Sequence, residues 1–205
     1  MGQIPPASMR CASAFSPIPS SRAIAWRSFE MRIAIDMDEV MADTHAAKLA
    51  LFAARGYTWS EEEIAGRHLS DLAGSEDAAQ VESEMQRGLF FADLAVVQGA
   101  QEGIAALAQD HEIFVATAAM EYPASCPHKI AWLARHFPDI SPMNIVLCGD
   151  KSVIAADLLI DDSPRHFTGF GGTGICFDAP HNRGDQVSHR LTNWADAEAM
   201  VSGFA

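Results

Sequence analysis

The chain has 205 residues, 49% of them hydrophobic, and a formal net charge of −13 at neutral pH. That length holds one good-sized domain, or a core domain with a small insertion. The acidity, with no Lys/Arg cluster to offset it locally, excludes a nucleic-acid partner, and no stretch reaches the roughly 20 uninterrupted apolar residues that a membrane helix needs.

Residues 1 to 30 differ from the rest: six Ser, four Pro, three Arg and a single acid, Glu30. With no apolar run they do not read as a secretory signal. They are expected to be a disordered or mis-started extension, with Met31 as the natural beginning. Residues 31 to 37 then read as a short buried strand, apolar and without helical period. It ends among four acids, Asp36, Asp38, Glu39 and Asp43. Residues 43 to 55 read as a helix ending before Gly56, and two acidic helical segments follow near 60 to 66 and 76 to 88.

A helix over 99 to 110 precedes a second buried strand, "EIFVAT", at 112 to 117. A helix over 128 to 137 is stopped by Pro138, and three strands follow at 144 to 148, 157 to 161 and 174 to 178. Residues 193 to 201 read as a final helix. Strands alternating with helices predict an α/β fold, a mostly parallel sheet with helices on both faces. A single crossover needs about a dozen residues, yet 44 to 94 stand between strand one and the helix before strand two. That surplus is expected to be a small helical cap above the strand ends, with 31 to 43 and 95 to 205 as the core domain. The cysteines at 11, 126, 148 and 176 show neither zinc nor disulfide spacing. A reduced, cytoplasmic setting is the expectation, with Cys126 and Cys148 as small buried hydrophobes.

In parallel sheets ligands sit at the carboxyl ends of the strands. Strand one ends in Asp36-Met37-Asp38, strand two in Thr117 and strand four in Asp161-Asp162; Lys151 follows strand three. Carboxylates crowded at one sheet edge repel one another unless a cation is shared, and Mg²⁺ suits an all-oxygen site. An Asp can attack phosphorus, and a second acid two positions on can protonate the leaving alcohol. Asp36 and Asp38 share a strand face at that spacing. Thr117 and Lys151 would bind the non-bridging oxygens.

The order of these motifs resembles that of the haloacid-dehalogenase-like phosphatase superfamily. Within it, "DMDEVMAD", "GLFFADLAVVQGAQEGI", "CPHKIAWL", "DKSVIAADLLIDDSP" and the later "APHN" resemble the 5′(3′)-deoxyribonucleotidase family over about residues 31 to 183. The resemblance implies a Rossmann-like core, a helical cap and Mg²⁺-dependent dephosphorylation of nucleoside monophosphates. It implies Asp36 as nucleophile, Asp38 as acid/base, and Thr117, Ala118 and Lys151 at the phosphate. It implies Asp36, Asp38 and Asp161 at the metal, with Asp162 behind them, and a homodimer as the assembly. Three positions depart from the family pattern. Thr117-Ala118-Ala119 replaces Thr-Ser-Pro, Gly149 stands where Arg is common two positions before the Lys, and Glu39 stands where Gly is common after Asp38. Aromatics for base stacking are not evident around Thr44 and His45. The alternatives are a phosphatase of the same superfamily for another small phosphomonoester, or a silent phosphate-binding homologue.

Overall fold

The computed structural model describes residues 29 to 204; the expectation for the N-terminal extension falls, but for its last two residues, outside them. Six strands form one all-parallel sheet: β1 (Arg32–Ile35), β2 (Glu112–Thr117), β3 (Ile145–Leu147), β4 (Leu158–Asp161), β5 (Thr173–Phe177) and β6 (Arg190–Leu191), in the order β3-β2-β1-β4-β5-β6. The sixth strand has two residues, too few to carry a periodic signal. The expected "mostly parallel" sheet is therefore parallel throughout.

β1 lies at the centre because Ile33, Ala34 and Ile35 are inaccessible on both faces. Ile35 is in register with Val115 on one side and Ile160 on the other, and the Asp36 N–H donates to the Ile160 carbonyl at 2.8 Å. That register brings the carboxyl ends of β1, β2 and β4 to one level. The chain runs outward from β1 through β2 to β3, then returns to β4. The strand order thus reverses between β1 and β4, where a crevice opens in such sheets.

Ile33, Ile35, Ile113, Val115, Leu158 and Ile160 face the main core. That core is completed by α5 (Ala100–Leu107), α6 (Cys126–His136) and α7 (Ala197–Ser202). The opposite face departs from expectation. Ala34, Ala116 and Leu159 are covered by Phe170, with Ile154 and Ala156 from loops and Phe167 from a 3₁₀ turn, Pro164–Phe167, rather than from an α-helix. Small residues let chain come close there: a Cβ on Gly174 would lie 2.3 Å from the Phe167 ring. Two buried tryptophans tie loops to this frame. Trp132 Nε1 donates to the Leu94 carbonyl at 2.8 Å and Trp194 Nε1 to the Val40 carbonyl at 2.9 Å. Both are core residues, whereas Trp59 packs only partly buried, beside Phe52 and Tyr57.

Residues 44 to 94 carry α1 (Thr44–Ala53), α2 (Glu61–Ile64), α3 (Leu69–Leu72), α4 (Ser75–Gln86) and a 3₁₀ turn, Leu89–Ala92. The chain enters and leaves this segment through one neck. Asp43 N–H donates to Ala95 O at 2.8 Å, Val97 N–H donates to Met41 O at 2.9 Å, and Ala42 pairs antiparallel with Val96. Asp43 is the N-cap of α1, its carboxylate accepting from Ala46 N at 2.8 Å. α2 starts in a capping box between Ser60 and Glu63. No helix among the described residues is long and apolar enough to cross a membrane. Cys126 and Cys148 are half-buried rather than buried.

Candidate active site

At the carboxyl end of β1 the apolar strand delivers Asp36, 4% exposed, into the crevice. Asp161, fully buried, ends β4 beside it, and Asp162 follows. Oxygens of Asp36, Asp161 and Asp162 lie within 4.8 Å of one another. Three carboxylates so placed form an all-oxygen donor set that suits a hard divalent cation. The sequence grouped Asp38 with Asp36 and Asp161. Here the Asp38 side chain turns instead toward Lys129, its Oδ2 bound to Lys129 Nζ and its Oδ1 without a hydrogen-bond partner.

Each acid is held by identifiable neighbours. Lys151 is 1% exposed and donates to both Asp36 Oδ1 and Asp161 Oδ2. Asp161 Oδ1 accepts from Ser163 N at 2.9 Å, and His166 Nδ1 sits 2.9 Å from Asp161 Oδ2. Buried Asn182 donates to the carbonyls of Asp162 at 2.7 Å and Phe177 at 2.8 Å, bracing the loop behind the acids.

The charges respond in different directions. Burial, with help from Asp161 and Asp38 and against Lys151, pushes the Asp36 carboxyl up to about 6. Burial acts on Asp161 too, but His166 and Lys151 outweigh it and hold that carboxyl below its ordinary range. Asp162 is pushed well up by burial and by Glu39, Asp36 and Asp161. Burial disfavours the Lys151 ammonium, yet Asp36 and Asp161 outweigh it and raise its pKa.

Thr117, fully buried at the end of β2, accepts from Lys129 Nζ at 2.9 Å through its hydroxyl. Lys129 is itself inaccessible, with its ammonium 4.6 Å from the centre of the Phe91 ring. Two lysines therefore serve the cluster: Lys151 between Asp36 and Asp161, Lys129 between Asp38 and Thr117. Lys129 was not singled out from the sequence. A signal existed: it precedes Trp132 and Leu133 by three and four positions, and residues so spaced share one helix face. His166 carried no such signal.

The acids open into a cavity of about 320 Å³ lined by Asp36, Asp38, Glu39, Ala118 and Asp162 below and by residues of 44 to 94 above. Met85, Phe91 and Tyr122 form an apolar wall; Thr44, Lys48, His68 and His181 form a polar one. Phe91 is both buried and part of this lining. A larger cavity, about 660 Å³, lies at the other edge of the sheet against Ile104, Ile113 and Phe137 and holds none of these residues.

The geometry has counterparts. Residues 30 to 204 match the family described as 5′ nucleotidase, deoxy (pyrimidine), cytosolic type C protein. A 5′(3′)-deoxyribonucleotidase of Bacillus subtilis strain 168 is 35% identical over 170 residues, 82% of this chain and 97% of the relative, and one of Bacillus phage SPbeta matches equally. A solved haloacid-dehalogenase-like protein of Agrobacterium tumefaciens shares the fold, with TM-score 0.53 and 14% identity over 84% of this chain and 97% of that one. With the motif order, the strand-end acids and the matched length all in agreement, the chain has a haloacid-dehalogenase-like fold and belongs to the 5′(3′)-deoxyribonucleotidase family.

Proposed function

We propose that this phosphomonoester hydrolase dephosphorylates nucleoside monophosphates, deoxyribonucleotides foremost, through an aspartyl-phosphate on Asp36. The observation that carries the reading is the convergence of Asp36, Asp161 and Asp162 within 4.8 Å at the β1/β4 crevice, with Thr117 and Lys129 beside them. Asp36 attacks phosphorus, the bond to the leaving alcohol breaks, and Asp38 gives that oxygen a proton. Water then attacks the phosphorus, the bond to Asp36 breaks to release phosphate and restore the carboxylate, and Asp38 takes the proton of the water. The Asp38 side chain lines the cavity and keeps 29% exposure, and its buried Oδ1 has no hydrogen-bond partner.

Thr117 supplies a hydroxyl to the non-bridging oxygens, and the Ala118 lining position contributes main chain only. Of the two lysines, Lys129 is the stronger candidate for the phosphate, because it already bridges Asp38 and Thr117. Lys151, enclosed by Asp36 and Asp161, serves to balance their charge and orient them. This reading moves the phosphate-contacting ammonium from Lys151 to Lys129. Asp36, Asp161 and Asp162 would hold Mg²⁺, with Asp38 contributing through its backbone. The ion would neutralise phosphate charge and favour ionised Asp36. Residues 44 to 94 act as a cap over a core of 31 to 43 and 95 to 204.

A cavity near 320 Å³ is at the small end for ligand sites, which favours monophosphates over di- and triphosphates. The test is phosphate release from matched deoxyribo- and ribonucleoside mono-, di- and triphosphates, sugar phosphates and p-nitrophenyl phosphate, with Mg²⁺ and with chelator. Mg²⁺-dependent release fastest from deoxynucleoside monophosphates is expected. Equal rates across the phosphate series, or faster turnover of sugar phosphates, would reject the nucleotide assignment.

A further inference from the structure

A second network borders the cavity, and the proposed chemistry does not use it. Glu39 follows Asp38 directly and has φ of +60°, the one non-glycine positive φ among the described residues. A side chain disfavours that backbone, so surrounding contacts must hold it. The Glu39 N–H donates to Ala42 O at 2.7 Å. Its carboxylate, 8% exposed, accepts from Lys48 Nζ at 2.9 Å on one oxygen and lies 3.0 Å from His181 Nδ1 on the other.

The two partners come from different parts of the chain. Lys48 is on α1, within 44 to 94, whereas His181 follows β5. His181 Nε2 lies 3.4 Å from Asp162 Oδ2, and its ring stacks on that of His68, centroids 5.1 Å apart and 20° from parallel. Two residues before His68, the Gly66 N–H donates to Pro180 O at 2.8 Å. Gly66 has φ of +70°, and a Cβ there would meet Arg183 O at 2.7 Å, so only glycine allows this approach. Three points of the inserted segment thus dock on Glu39 and residues 180 to 183, beside Asp38 and Asp162.

The link is ionic as well as steric. Burial would raise the Glu39 carboxyl, but Lys48 and His181 outweigh it and hold it well below its ordinary range. Burial likewise disfavours the Lys48 ammonium, and Glu39 reverses that effect. A desolvated pair of this kind is loosened sharply when either partner is removed.

We propose that Glu39 is a positioning residue that fastens the cap to the catalytic strand end, through Lys48 directly and through His181 to His68, and so sets the cavity's height above Asp36 and Asp38. The inference rests on the phosphatase reading of that cavity. A substrate that reaches the cap wall with sugar and base depends on this spacing; an aryl phosphate without them depends on it far less.

The test compares wild type, Glu39→Gln, Lys48→Met, their combination and Lys48→Arg, with thymidine 5′-monophosphate and p-nitrophenyl phosphate as substrates. Glu39→Gln and Lys48→Met are expected to raise KM for the nucleotide about tenfold, with kcat changed less than about fivefold and KM for the aryl phosphate changed less than about threefold. The double variant should be no worse than the worse single, because the pair acts as a unit, and Lys48→Arg should recover most of the loss. Amide exchange over 61 to 72 should quicken in Glu39→Gln and Lys48→Met while β1 and β4 stay protected. Equal losses on both substrates, losses that multiply, or unchanged exchange over 61 to 72 would overturn the proposal. A wild type inert toward both substrates would instead defeat the phosphatase reading, and the exchange comparison would still decide the fastening.

Discussion

The floor and the roof of the cavity are built on different principles. The floor is the edge of a parallel sheet, where main-chain register fixes Asp36, Thr117 and Asp161 and two inaccessible lysines sit among the acids. The roof is made of helices of four to twelve residues, two of them a single turn, and much of α2 to α4 is exposed. Helices this short owe their stability to packing rather than to propensity. A rigid floor suits chemistry, which tolerates little displacement of reacting groups. The roof joins the floor through one neck, the docking contacts around Glu39, and buried Phe91, which shares the core and borders the Lys129 ammonium. Mutations in the floor should therefore act on turnover or global stability, and mutations in the roof on local order and KM.

The largest effect expected from this contrast is at Asp36. Asp36→Asn keeps the shape and removes the anionic nucleophile, so kcat should fall roughly a thousandfold or more while the fold survives. Steady-state phosphate release and circular dichroism check both parts; activity within tenfold of wild type would remove Asp36 from the role.

The two lysines should separate stability from chemistry. Lys151→Met leaves Asp36 and Asp161 buried without their shared cation, and breaking such a buried set costs about 3–5 kcal/mol. Lys129→Met should destabilise less, because Asp38 keeps 29% side-chain exposure, yet lower kcat/KM for phosphoesters more steeply. Denaturant melts beside kinetics test this. Identical profiles for the two variants would mean that the division of labour is wrong.

The junction of floor and roof carries a pH signature. Glu39 is held below its ordinary range when folded, so it contributes stability that is complete above the unfolded carboxylate value of about 4.3. That contribution is lost as pH falls below that value. Asp36 and Asp162, raised by burial, act in the opposite sense and are relieved as pH falls. The readout is therefore a difference: the stability gap between wild type and Glu39→Gln should be widest near neutrality and shrink below about pH 4. A gap that stays constant from neutral pH to pH 3 would contradict the depressed carboxyl.

The smallest effect concerns the roof alone. Ser60→Ala removes one half of the α2 capping box and should cost about 1 kcal/mol locally. Faster amide exchange over 61 to 64 with kcat for p-nitrophenyl phosphate unchanged is the expected result. A fall in kcat would show the roof to be coupled to the chemistry after all.

What the sequence determined by itself was the floor. The buried strands, their alternation with helices and the acids at their ends are local patterns, and parallel-sheet geometry carries them to one edge without knowledge of any contact. β2 falls over the expected residues 112 to 117, and the chain re-enters the core through the neck at 95 to 97. What only tertiary structure decided depends on how non-neighbouring elements pack. Lys129 reaches Thr117 and Asp38 because α6 lays one particular face against the end of β2, 12 and 91 residues distant in sequence. Glu39 stood out as one of four acids and as a residue where glycine is common; its partners, 9 and 142 positions away, meet it only when residues 44 to 94 are packed against the strand end. The cover of loops and one 3₁₀ turn over Ala34 and Leu159 was not legible for the same reason. An irregular segment has no period to read, and its course is set by the small side chains it packs against.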